Sequence, residues 1–117
     1  MSAGYHHFII EQGATFQKVL TLKDSSDSVV NLTGYASAQM DLRTDADQSS
    51  TALSLTTANS RISLGASAGT ITLTISASDT ASLTATDGVY DLEIVDGSGN
   101  VFRIVEGTYT VRRGISR

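Results

Sequence analysis

The sequence predicts an all-β chain, an immunoglobulin-like antiparallel β-sandwich of seven to eight strands with a short helical turn between strands E and F. Three observations predict it. Residues 70–76 alternate Ile or Leu with Thr, the period of a half-buried strand. Residues 77–83 hold a Ser/Asp cluster of the kind that starts helices, with room for one turn. Residues 88–94 return to alternation, with Tyr90 two residues before Leu92, which sets a tyrosine at the E–F corner of such a sandwich.

The other elements follow in chain order. Phe8-Ile9-Ile10 is a short apolar run closed by Gly13 and reads as an edge strand. A second strand spans about Thr15 to Lys23, with Phe16, Leu20 and Leu22 on one parity and Lys18 at the rim. Residues 24–27 are turn chemistry. In the third strand Ala36, Ala38, Met40 and Leu42 face one way, and Ser37, Gln39, Asp41 and Arg43 the other. Residues 44–51 form a polar, acidic loop. Two short strands, 52–55 and 61–64, flank residues 56–60. After the strand at 88–95, residues 96–100 make a hairpin loop, and a last strand runs from Val101 to about Arg112 with a bulge expected at Gly107. The expected core is Phe16, Leu20, Leu22, Met40, Leu42, Ile71, Leu73, Ile75, Tyr90, Leu92 and Ile94.

Composition bounds the function. A chain of 117 residues is one domain. The expected division is an N-terminal arm at 1–7, the sandwich at 8–113 and a C-terminal tip at 114–117. Cysteine is absent, so no disulfide or thiolate metal site exists. A net charge of -4 with 17% charged residues argues against a nucleic-acid binder, which needs a basic face. No run approaches the length of a membrane span, and no signal peptide is expected from the first residues.

Each apparent chemical motif has a plainer reading. Gly65-Ala66-Ser67-Ala68-Gly69 fits G-x-S-x-G, but a strand follows it and both histidines precede it, so it reads as a loop. His6 and His7 are adjacent, and neighbours on a strand point to opposite faces, against chelation of one ion. Residues 96–107 lack the glycine and glutamate of a calcium loop. Asp41, Asp45 and Asp47 are a better calcium candidate, yet read first as a solvated acidic loop. Asn31-Leu32-Thr33 is a glycosylation sequon that reads as a turn. No catalytic, cofactor or metal residue is therefore assigned, and no enzyme activity is expected.

The order of Glu11-Gln12-Gly13-Ala14-Thr15-Phe16, Asn31-Leu32-Thr33-Gly34-Tyr35, residues 71–76, Asp79-Thr80-Ala81, residues 88–93 and Glu106-Gly107-Thr108-Tyr109-Thr110-Val111 resembles small tailed-bacteriophage virion structural proteins. In particular it resembles the immunoglobulin-like N-terminal domain of phage baseplate upper proteins, from Ile10 to Arg117. The chain departs from that pattern in having no proline in its turns, and no fibre or receptor-binding extension is expected. The resemblance implies a virion component, assembled in the host cytoplasm, that acts by contacts in the tail or baseplate or on the head surface. Its partners would be other virion proteins and copies of itself, with no nucleic acid, membrane, cofactor or small-molecule ligand. The candidate contact residues are Tyr5, His6, His7, Phe8 and Ile10 at one end, and Arg112, Arg113 and Arg117 at the other. The alternative is a carbohydrate-binding adhesion module on the virion. With Tyr35 and Tyr90 assigned to the core, Tyr5 and Tyr109 are its candidate aromatics.

Overall fold

The computed structural model describes residues 4–24, 26–44, 52–84 and 86–113. Eight strands form: β1 (Gly4–Glu11), β2 (Phe16–Thr21), β3 (Tyr35–Arg43), β4 (Leu53–Thr56), β5 (Ile62–Leu64), β6 (Thr70–Ile75), β7 (Asp87–Asp96) and β8 (Val101–Arg112). A 3₁₀ turn, Ala66–Ala68, precedes β6, and one helix, α1 (Ala77–Ala81), joins β6 to β7. The strands lie in two sheets, β1-β8-β7-β3-β4 and β2-β6-β5. This is an immunoglobulin-like sandwich, with β3, β7 and β8 as strands C, F and G and an added C′ strand at β4. It is not wholly antiparallel. β1 runs parallel to β8, from Gly4 opposite Val105 to Glu11 opposite Arg112. A parallel pair needs a crossover of about a dozen residues or more, and here β2 to β7 all lie between the two strands.

Alternation fills the space between the sheets. Ala38, Met40 and Leu42 of β3, Tyr90, Leu92 and Ile94 of β7, and Ile71, Leu73 and Ile75 of β6 are all buried. Three expectations need correction. Phe16, Leu20 and Leu22 are only partly buried, because β2 is an edge strand whose inner face lies at the rim. Ala36 is exposed, since the β3–β7 register shifts between Tyr35 and Ser37, and Tyr35 is half-buried. The irregularity in β8 falls opposite Leu92 and Glu93, where Ile104 is the extra residue, and not at Gly107.

The largest correction concerns β1. It begins at Gly4, so residues 4–7 belong to the sheet rather than to a free arm; residues 1–3 and 114–117 lie outside the described residues. Phe8 is 3% exposed and Ile10 1%, so these two candidate contacts are core residues. Phe8 packs its ring 4.9 Å from Tyr90 and 5.8 Å from Phe16, edge-on to the latter. The Tyr90 hydroxyl donates to the His6 carbonyl at 2.7 Å. Burial pushes the Tyr90 phenol above its ordinary pKa. Gly107 pairs with both His6 and Tyr90, and a Cβ there would strike the His6 carbonyl. The tyrosine expected at the E–F corner thus anchors the N-terminal strand instead.

Helix α1 staples the other end. Ser76 caps it by accepting from the Asp79 amide at 3.3 Å. Thr80 is fully buried; its hydroxyl donates to the Ala14 carbonyl at 2.8 Å and accepts from the Gly13 amide at 3.1 Å. Gln12 Nε2 donates to the Leu83 carbonyl at 2.7 Å. Arg61 reaches Asp79 at 2.7 Å and the Ser54 carbonyl at 3.1 Å, tying the β4–β5 turn to the helix.

Two kinds of outcome follow, the first from the β1 contact. Gly107→Ala should cost about 1–3 kcal/mol by overpacking against His6. Tyr90→Phe should cost about 0.5–1.5 kcal/mol through the lost hydrogen bond. Denaturant unfolding measures both, and hydrogen exchange of the Tyr90→Phe variant should show lost protection in β1 before β6. The second outcome concerns acid. The Arg61 guanidinium, then the Ser76 hydroxyl, hold the Asp79 carboxyl below its ordinary value of 3.8, and hydrogen bonds from Asn100 do the same for Asp96. The folded chain thus binds fewer protons here than the unfolded one, so this stability is whole above pH 3.8 and is lost as pH falls below it. Arg61→Ala should melt lower than the parent at neutral pH, and the gap should close as the pH falls through that range.

Candidate functional site

The outer face of the five-stranded sheet carries an arrangement that no stretch of sequence shows. Tyr5 on β1 pairs with Glu106 on β8, Glu106 with Asp91 on β7, Asp91 with Asp41 on β3, and Asp41 with Ser54 on β4. Three carboxylates therefore stand side by side across three strands. Like charges directly opposite each other destabilise a sheet, so this row needs local compensation. Arg103 Nε lies 3.2 Å from Asp91, and Arg43 Nη2 lies 3.5 Å from Asp41. Asp41 also accepts from the Ser54 hydroxyl at 2.8 Å and from Gln39 Nε2 at 3.1 Å. The row borders a cleft of 480 Å³ lined by Tyr5, Asp41, Arg43, Asp91, Arg103 and Glu106, with Val89 and Thr108 beside them. Tyr5 stands at its edge, 72% exposed. Among the described residues no three His, Asp or Glu side chains are grouped to hold a metal ion. Asp45 and Asp47 of the acidic loop lie outside the described residues.

The next row holds His7. Its Nδ1 lies 2.6 Å from the Thr108 hydroxyl and its Nε2 3.1 Å from the Thr110 hydroxyl, which donates to Asp87 at 2.7 Å. In the neutral ring, Nε2–H therefore donates to Thr110 and Nδ1 accepts from Thr108. The Thr110 proton points at the carboxylate and away from the imidazole, the reverse of a nucleophile activated by a histidine. His6 faces the other side of β1 and packs 4.7 Å from the Phe8 ring, so the two histidines diverge as their adjacency requires. Ser67 sits on the exposed 3₁₀ turn ahead of a strand, without the strand-to-helix elbow that a serine hydrolase uses.

The candidate contact residues do not form one surface. Tyr5 and His7 are exposed on the outer face, and His6 is exposed at the rim. Arg112 is exposed at the far end of the β1–β8 pair, 3.8 Å from Glu11, with exposed Arg113 next to it. Arg117 lies outside the described residues. Tyr109, expected as an exposed aromatic, is 1% exposed, with burial raising its phenol pKa. Its ring lies against Gly88, where a Cβ would collide with it. The residues that sequence reasoning missed are Asp91, Glu106, Arg43 and Arg103. Each sat on the polar parity of its strand, and only the cross-strand register brings them together.

Fold and face together define an immunoglobulin-like sandwich with an open, charged sheet. The chain matches no protein-family model and no curated protein. It is similar to a chain from a structure described as "Structural basis of T cell specificity and activation by the bacterial superantigen toxic shock syndrome toxin-1", at 12% identity and a TM-score of 0.51, over 90% of this chain and 92% of that one. It is one of 123 solved chains that match, which marks a widely used architecture and carries no activity across.

The acidic row predicts a measurable cost. Glu106→Gln removes one of three neighbouring like charges and should stabilise the fold by about 0.2–1 kcal/mol, read by thermal unfolding. An unchanged or lower melting point would show that Glu106 has a favourable partner on this face.

Proposed function

We propose that the chain is a bacteriophage virion structural protein that acts by protein–protein contacts in the tail or baseplate or on the head surface, against other virion proteins and copies of itself. The observation that carries this reading is β1. Among the described residues no strand pairs with its outer edge, and its residues 5–10 contain no Lys, Arg, Asp, Glu or Pro. Soluble domains usually guard such an edge with charge or proline, because unpaired backbone groups accept a strand from a neighbour. Ile9 is 51% exposed on this strand, in register with Thr110. The resemblance of the whole motif order to phage baseplate-type domains supplies the context in which an unguarded edge has a use.

Incorporation is the test. Ile9→Lys places a charge on an exposed position of β1, so the fold should persist, with the parent's circular dichroism and a melting point within about 0.5 kcal/mol in stability. Particles assembled with this variant should hold little of it. Full copy number of the variant in purified particles, or absence of the parent chain from particles, would overturn the proposal.

A further inference from the structure

We propose that the cleft on the outer face of the five-stranded sheet is a binding site for a neutral saccharide. Its 480 Å³ falls within the roughly 300–1,000 Å³ of small-ligand sites. Its chemistry selects the ligand class. Three carboxylates, Asp41, Asp91 and Glu106, share the walls with two guanidiniums, Arg43 and Arg103. A cation entering here meets both arginines, and an anion meets all three acids. A hydroxyl donates and accepts at once. Neighbouring sugar hydroxyls therefore satisfy a carboxylate and a guanidinium in the same contact, through charge-assisted bonds.

Part of the polar lining is partnered before any ligand arrives. Arg103 lies 3.2 Å from Asp91, and Asp41 takes hydrogen bonds from Ser54 at 2.8 Å and Gln39 at 3.1 Å. Ordering of side chains is a main cost of binding, and the hydrogen bonds to Asp41 reduce it there. Tyr5 supplies the apolar part. It stands in register with Glu106 at the cleft edge, 72% exposed, with a ring available to the C–H face of a pyranose. Aromatic and polar groups thus converge on one cleft, the combination that a sugar, with one apolar face and a ring of hydroxyls, can use.

The test uses the full chain, isotope-labelled, titrated with glucose, galactose, mannose, N-acetylglucosamine, maltose and lactose. Glucuronic acid and glucosamine serve as the anionic and cationic counterparts. At least one neutral sugar should shift the backbone amides of Tyr5, Asp41, Asp91, Glu106 and Thr108 with a dissociation constant of about 1 mM or tighter. Tyr5→Ala should weaken that binding by about tenfold or more while melting with the parent. Val19→Ala, on an exposed position of the other sheet, should leave it unchanged. A preference for either charged sugar, shifts centred elsewhere, insensitivity to Tyr5→Ala, or no shifts with any sugar would each overturn the proposal. The readout needs no particle, so its failure would leave the assembly reading standing.

Discussion

The His6 carbonyl lies against Gly107, with the Tyr90 hydroxyl bound to it from below, and the whole β1 side of the sandwich depends on this contact. Gly107 has no side chain, so β1 approaches β8 closely enough to pair along its full length. That pairing turns Phe8 and Ile10 into the core, where Phe8 meets Tyr90 and Phe16. The same alternation then turns Tyr5, His7 and Ile9 outward. Core closure, the exposed edge and the rim of the cleft are thus three consequences of one parallel register. The Gln12–Leu83 and Thr80–Ala14 hydrogen bonds fix the turn that follows β1, so the strand is held at both ends.

The sequence was most legible where a strand is covered on one face and paired on both sides. β3, β6 and β7 show clean alternation, and Met40, Leu42, Ile71, Leu73, Ile75, Tyr90, Leu92 and Ile94 are all buried as their parity predicts. It was least legible at the edges. β2 has the same alternation, yet Phe16 and Leu20 are only partly buried, because local pattern carries no information about lateral position in a sheet. β1 failed in the other direction. His6 and His7 break the apolar pattern of Phe8 to Ile10, and its partner lies about a hundred positions away, so nothing local marks residues 4–7 as strand. Tyr109 was expected as an exposed aromatic and is buried instead, because its ring lies against Gly88 opposite it, which is again a matter of register.

The candidate cleft shows the same limit more sharply. Asp41, Asp91 and Glu106 are separated by fifty and then fifteen positions, each flanked by ordinary strand residues. A single-residue slip in either pairing would send one carboxylate to the core face and abolish the row. The hydrophobic alternation of β3 and β7, with the pairing of Met40 to Leu92, forbids that slip. The packed inner face therefore sets the chemistry of the outer one. Stability is concentrated inside, and the charges of the outer face are balanced locally by Arg43, Arg103, Ser54 and Gln39.

One strand joins the two proposed roles. Tyr5 lines the cleft, and Ile9 lies four residues along the same strand, whose free edge is the proposed docking surface. A neighbouring strand added to that edge would extend the sheet and place its own side chains beside Tyr5, deepening the cleft on its open side. Ligand and neighbour would then meet at Tyr5, each changing the surface that the other binds. Such coupling is reciprocal: whatever affinity docking adds for a saccharide, the saccharide adds for docking.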